Sequence, residues 1–205
     1  MVARQVLVPA IYSFCGPMFS GKSTELRAQA DRYFHAGYKI QAFRLGMDDR
    51  FTSAPEIITH SNLSLEATLI TPDEGRLESA QLLLEVHPET NIVVIDEAQF
   101  YDPEIVSACL KLRDEGRAVL TAFLDMDFRR EPFKFKGSDR HVGELMARSR
   151  VRKLTAVCKF PVDGSVCGAE AEYSRRIEGG AELVQVGGAD SYIATCLEHH
   201  NAELP

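Results

Sequence analysis

The chain has 205 residues, of which 45% are hydrophobic and 26% charged, with a formal net charge of −7. That length allows one full-sized core, or one core plus a small appended module. It contains no apolar run approaching the roughly 18 residues of a membrane span, and its acidic balance argues against a nucleic-acid partner, because phosphate neutralisation needs basic patches. The acidity is strongest in residues 154–205, where eight acidic side chains face three basic ones. The first ten residues carry no long apolar region and no small-residue cleavage site. These features lead to the expectation of a soluble, cytoplasmic protein with no membrane partner.

In chain order, residues 10–15 form an apolar run that predicts a buried strand ending at Gly16. A helix is expected next, with Leu26, Ala30 and Tyr33 along one face and Gly37 as its stop. Residues 39–45 predict a second strand and residues 74–86 a second helix. Residues 91–96 contain Ile92-Val93-Val94-Ile95, the continuous β-branched run of a central parallel strand. Asp102-Pro103 supplies a cap and first turn for a helix whose face is Ile105, Cys109 and Leu112. Gly116 ends it, and residues 117–124 predict the next strand. Alternating strands and helices imply an α/β fold with a parallel sheet covered on both faces. Residues 125–140 form a charged loop containing Arg129, Arg130, Lys134, Lys136 and Arg140. A domain boundary is expected near Lys153, dividing the chain into residues 1–153 and 154–205.

Three constellations carry chemistry. Gly16-Pro17-Met18-Phe19-Ser20-Gly21-Lys22-Ser23 matches the phosphate-loop pattern in full, with a strand before it and a helix after it. Its glycines let backbone N–H groups wrap around phosphates, and the helix N-terminus adds favourable partial charge. Lys22 would reach the β- and γ-phosphates, and the Ser23 hydroxyl would face Mg²⁺. Asp96-Glu97 ends a parallel strand, where nucleotides bind. One carboxylate can serve the metal and the other can accept a proton; a solvated acidic turn is the plain alternative. Asp48-Asp49-Arg50 follows the strand 39–45. Its arginine could stabilise a transferring phosphoryl group, or the three could form only a surface charge cluster.

Of the five cysteines, Cys15 and Cys109 fall inside apolar elements and read as packing residues. Cys158, Cys167 and Cys196 lie near His199 and His200. Cys158-x8-Cys167 with Cys196-x2-His199 could form a tetrahedral zinc site, or the thiols could pack in a small apolar core.

Together these segments resemble the type II thymidine kinases. The stretch from Gly16 to Leu26 looks like the family's opening signature, Asp96-Glu97-Ala98-Gln99-Phe100 its second, and the stretch from Leu124 to Phe133 its third. Leu154-Thr155-Ala156-Val157-Cys158 resembles the zinc module, and the stretch from Val186 to Tyr192 the base-binding loop. The resemblance implies a P-loop NTPase-type parallel-sheet core with a small C-terminal zinc-binding lasso domain. It implies transfer of the γ-phosphoryl of ATP to the 5′-hydroxyl of thymidine, with Mg²⁺ and a structural Zn²⁺. Glu97 matches the family's catalytic base; Asp48 and Arg50 match its pair near magnesium and phosphates. Met18, Phe100, Leu124, Phe128 and Tyr192 match positions around the thymine, and Ser174 falls where many members carry threonine. Val184, Gln185, Val186, Gly187 and Gly188 would meet the base through backbone groups. Cys158, Cys167, Cys196 and His199 match the zinc ligands, although eight residues separate the first pair where many members have two. A homotetramer and feedback inhibition by thymidine triphosphate (dTTP) are implied as well. Two rival functions remain: a nucleic-acid-dependent ATPase, disfavoured by length and charge, and a non-catalytic zinc-stabilised nucleotide sensor.

Overall fold

Four adjacent β-branched residues, Ile92–Ile95, are wholly shielded from solvent, and the rest of the architecture follows from what covers them. The computed structural model describes residues 7–46, 56–58, 64–71, 75–178 and 191–203. Its main sheet is built from β1 (Ile11–Cys15), β2 (Ile40–Leu45), β3 (Glu56–Ile58), β4 (Ser64–Ile70), β5 (Ile92–Ile95), β6 (Ala118–Phe123) and β7 (Arg150–Lys153). The spatial order is β3-β4-β2-β5-β6-β1-β7. Six of the strands run parallel, and β3 pairs antiparallel with β4 at one edge. Helix α1 (Lys22–His35) lies on one face; α2 (Glu78–Glu85) and α3 (Ile105–Asp114) lie on the other.

Period-two alternation divides the core. Ile92 and Val94 join Leu26 and Ala30 of α1, whereas Val93 and Ile95 join Leu82 of α2 and Ile105, Cys109 and Leu112 of α3. Burying each Leu or Ile side chain contributes about 1.5–3 kcal/mol, so both faces hold the sheet. Asp102 joins α2 to α3: its carboxylate accepts from the Ser79 N–H at 2.8 Å, the Ser79 hydroxyl at 2.9 Å and the Glu104 N–H at 2.9 Å. Among the described residues, no helix is long and apolar enough to cross a membrane.

Several elements differ from the sequence expectation. The helix expected over residues 74–86 begins only at Glu78, because Gly75 takes φ 80, a left-handed backbone that no α-helix contains. Strands β3 and β4 were not foreseen. Nor was β7, whose residues are all exposed and mostly basic; it is an edge strand whose one strand neighbour among the described residues is β1, so it carries no hydrophobic signal.

After α4 (Gly143–Met146) and β7, the chain changes character. Strands β8 (Ala156–Val157), β9 (Pro161–Val162), β10 (Ser165–Val166), β11 (Glu170–Ala171), β12 (Tyr173–Arg176) and β13 (Tyr192–Thr195) pair only as two-stranded ribbons, and α5 (Leu197–His200) follows. Their core is small: Ala156, Cys158, Phe160, Ala171 and Ala194, with Cys167 and Cys196 against it.

Candidate active site

The strand register brings three chain segments to one edge of the sheet. Cys15 of β1 stands opposite Phe123 of β6, and Ile95 of β5 stands opposite Thr121. The residues that follow, Gly16, Leu124-Asp125 and Asp96-Glu97, therefore emerge side by side at the carboxyl ends of parallel strands.

Residues 16–21 turn tightly between β1 and α1. Gly16 has φ 145, and a Cβ there would lie 2.2 Å from the Leu154 carbonyl oxygen; no other residue fits without moving that backbone. The Leu154 N–H in turn donates to the Cys15 carbonyl at 2.7 Å. Phe19 and Gly21 also take positive φ, 64 and 81. The Pro17 carbonyl gathers the loop, accepting from the Ser20 hydroxyl at 2.8 Å and from Lys22 Nζ at 2.7 Å. Among the described residues no side chain caps α1, and the first-turn N–H groups of such a helix favour an anion. Lys22 is buried, which lowers its pKa; the opposing pull of Glu97, Asp96 and Asp125 favours the ammonium.

At the end of β5, Asp96 is buried. Its Oδ1 accepts from the Ser23 hydroxyl at 3.3 Å and from the Glu97 N–H at 3.0 Å. Burial, and secondly the charge of Glu97, raise its pKa to about 6; the two hydrogen bonds and Arg44 act against this rise. Glu97 sits at φ 53, ψ 43, a left-handed conformation costing about 1–2 kcal/mol in a residue with a Cβ. Its side chain accepts a hydrogen bond from Gln99 Nε2. Asp48 and Arg50 lie outside the described residues.

Asp125 follows β6 and pairs with Lys153 at 3.1 Å. Its Oδ1 is buried without a hydrogen-bond partner among the described residues. Burial and then Asp125 push the Cys15 thiol up to about 11, and burial alone lifts Cys109 to about 12. Both therefore stay protonated near neutrality, consistent with packing roles. Asp127 shapes the next turn by accepting from the N–H groups of Arg129 at 2.8 Å and Glu131 at 3.0 Å.

The side chains expected around a nucleoside fall into three contacts. The Met18 N–H donates to the Ser174 hydroxyl at 2.9 Å, tying β12 to the loop after β1. Phe100 packs edge-on against Phe133, with centroids 5.8 Å apart, and Leu124 lies against the same core. Between Phe128 and Tyr192 stands Arg176, whose guanidinium lies 3.9 Å above the Phe128 ring and donates to the Tyr192 hydroxyl at 2.7 and 3.0 Å. Val184, Gln185, Val186, Gly187 and Gly188 lie outside the described residues.

Cys158, Cys167, Cys196 and His199 bring one ligand atom each to within 4.8 Å of one another. His199 Nδ1 is 3.4 Å from Cys196 Sγ and 3.8 Å from Cys158 Sγ. Tetrahedral zinc, with Zn–S about 2.3 Å and Zn–N about 2.0–2.1 Å, sets such S···N separations at about 3.5 Å. Three thiols and one imidazole, with no carboxylate in the set, suit that ion. The eight residues between Cys158 and Cys167 form the β9–β10 hairpin, turned by Asp163 and Gly164 at φ 47 and 79. Such a two-residue turn adds length without parting its ends, and the Cys167 N–H still donates to the Phe160 carbonyl at 2.9 Å. His199 is clamped by Phe160, stacked with centroids 4.5 Å apart and planes 3° apart. His200 turns away, hydrogen-bonded to Thr195 at 3.2 Å.

The sequence signature of the family described as "Thymidine kinase" matches residues 9–200. The chain belongs to the thymidine kinase family. It is 40% identical over 200 residues to a thymidine kinase of Deinococcus radiodurans, covering 92% of this chain and 88% of that one. A thymidine kinase of Deinococcus deserti is 36% identical over 196 residues, covering 90% and 91%. One of Thermococcus kodakarensis is 33% identical over 192 residues, covering 90% of each. Among solved structures, the Legionella pneumophila ATPase DotB is a distant likeness, with a TM-score of 0.43 and 12% identity over 77% of this chain and 43% of that one. Family membership supports phosphotransferase activity in nucleotide salvage.

In this thymidine kinase family chain, sequence reasoning missed Gln99, Lys153 and Arg176, and gave Asp125 no role of its own. Each makes at least one contact with a residue distant in sequence: Gln99 with Leu124, Lys153 with Asp125 and Arg176 with Tyr192. The one local signal was an uncharged but polar Gln99 inside an otherwise apolar turn, Ala98-Gln99-Phe100.

Proposed function

We propose that this chain is a type II thymidine kinase, transferring the γ-phosphoryl of ATP to the 5′-hydroxyl of thymidine to give dTMP and ADP. The convergence of Lys22, Ser23, Asp96 and Glu97 at the carboxyl ends of β1 and β5, in a member of the thymidine kinase family, carries this assignment.

Residues 16–23 would act as a phosphate loop. Lys22 would exchange its bond to the Pro17 carbonyl for the β- and γ-phosphates, and its burial makes the charge effective there. Ser23 and Asp96 would hold Mg²⁺, with Asp48 on sequence grounds. That ion would neutralise charge on the phosphates. Glu97 would take the proton of the 5′-hydroxyl as its oxygen bonds to the γ-phosphorus and the bond to the β-phosphate oxygen breaks. Arg50, on sequence grounds, would stabilise the transferring group. Residues 154–205 would form the lasso over the nucleoside, with zinc at Cys158, Cys167, Cys196 and His199 as a structural ligand set. Met18, Phe100, Leu124, Phe128, Ser174 and Tyr192 would bound the base slot, and Val184 to Gly188 would supply backbone contacts. Arg176 would have to leave the space between Phe128 and Tyr192, or stack beside the base.

Purified protein with ATP, Mg²⁺ and a nucleoside panel, products identified by mass, tests the proposal. Thymidine should give dTMP and purine nucleosides should not react, because a slot matched to the pyrimidine edge leaves groups unpaired with other bases. Equal turnover of adenosine or guanosine would overturn the substrate assignment. ATP hydrolysis stimulated by nucleic acid, with no nucleoside product, would overturn the kinase assignment.

A further inference from the structure

Gln99 is fully buried, yet both ends of its carboxamide are satisfied. Nε2 donates to Glu97 Oε2, and Oε1 accepts from the Leu124 N–H at 3.2 Å. The Leu124 N–H can only donate, so it fixes the amide oxygen on its own side and turns the NH₂ toward Glu97. The contact to Glu97 is thus a donor aimed at one particular carboxylate oxygen. It leaves the other oxygen, Oε1, as the one not claimed by Gln99. The Glu97 backbone is also unusual for a residue with a side chain, at φ 53, and its N–H is taken by Asp96. Main chain and side chain are therefore restrained from opposite directions. Leu124, at the far end of the amide bridge, opens the segment that leads to Phe128 and Phe133.

We infer that Gln99 is a positioning residue for the phosphoryl transfer proposed above. It holds the Glu97 carboxylate in one rotamer, with Oε1 presented to the acceptor hydroxyl, and registers it against the end of β6. This inference rests on Glu97 being the general base. A base misplaced by even a fraction of an ångström loses proton-transfer efficiency while substrate contacts elsewhere persist. The signature of such a residue is a fall in kcat with little change in KM, and dependence on the group it positions.

The test is a double-mutant cycle with Gln99→Met, which keeps the side-chain length and removes both polar ends, and Glu97→Gln. Gln99→Met should lower kcat about 10–100-fold, the loss expected for a hydrogen bond to a charged group, with KM for thymidine and for ATP changed less than about threefold. In the Glu97→Gln background the same substitution should cost less than about threefold more, because the group to be positioned no longer functions. Should Gln99→Met fail to fold, Gln99→Asn, one methylene too short to hold both partners, carries the same expectation. An unchanged kcat, a rise in KM alone, or an equal loss in both backgrounds would overturn the inference. Near-normal turnover in Glu97→Gln alone would instead overturn the base assignment, and that single variant is read independently of Gln99.

Discussion

Replacing Asp96 with asparagine isolates the energetic consequence of ionising a carboxylate at the sheet edge. Burial, then the neighbouring Glu97, hold its pKa at about 6 against an ordinary 3.8. A carboxyl group raised on folding favours the folded state while protonated. The penalty is absent below pH 3.8, grows between 3.8 and about 6, and is complete above. At about 1.4 kcal/mol per tenfold, the full penalty is on the order of 3 kcal/mol. Asparagine keeps an acceptor oxygen for the Ser23 hydroxyl and the Glu97 N–H but carries no charge. Asp96→Asn should therefore be more stable than the parent at pH 8 by up to about 3 kcal/mol, a rise in Tm of up to roughly 6–12 °C for a chain of this size. By pH 5 the gain should fall to about half, as the parent carboxylate takes up its proton. Thermal unfolding in Mg²⁺-free buffer at the two pH values measures both quantities. Added Mg²⁺ should narrow the gap at pH 8, since a cation at the carboxylate stabilises only the parent. An Asp96→Asn variant less stable than the parent at pH 8, or a difference that does not change with pH, would refute the reasoning.

Gly16→Ala should destabilise the fold by more than about 2 kcal/mol, because its Cβ meets the Leu154 oxygen and its φ is left-handed. Gly21→Ala, with open space around it and only the backbone conformation against it, should cost about 1 kcal/mol; equal losses in denaturant unfolding would contradict the close approach. Lys22→Ala should weaken ATP binding and turnover together, since the amine serves ground and transition states alike, and kinetics like the parent's would remove Lys22 from the phosphates. Protein purified without chelator should carry about one zinc. His199→Ala should lose the metal and His200→Ala retain it, measured by metal analysis; the opposite pattern would mean that the cluster around His199 Nδ1 is not the binding site.

Much of the core was legible because its signals are local. The apolar run before Gly16, the glycine spacing through Gly21, and the four β-branched residues of β5 each specify an element from neighbouring residues alone, and the strands and helices formed within one or two residues of expectation there. Composition likewise marked the C-terminal thiols as a cluster, since three cysteines and two histidines stand within one acidic stretch. Strand β7 escaped because an exposed edge strand, held by backbone pairing with β1, needs no hydrophobic pattern.

What only the tertiary structure decided are the contacts that cross long stretches of chain. Gln99 reaches Leu124, Ser174 reaches Met18, and Lys153 reaches Asp125; none has a spacing that a sequence period could reveal. His199 and His200 are chemically identical neighbours, and sequence offered a choice between them on spacing alone. Helix α5 points successive side chains about 100° apart. One imidazole is thereby carried onto the thiols beneath Phe160 and the other to Thr195. Local residue chemistry sets which elements can form. Which side chains then meet depends on how those elements pack, because directional hydrogen bonds and metal ligation require atoms brought together from distant parts of the chain.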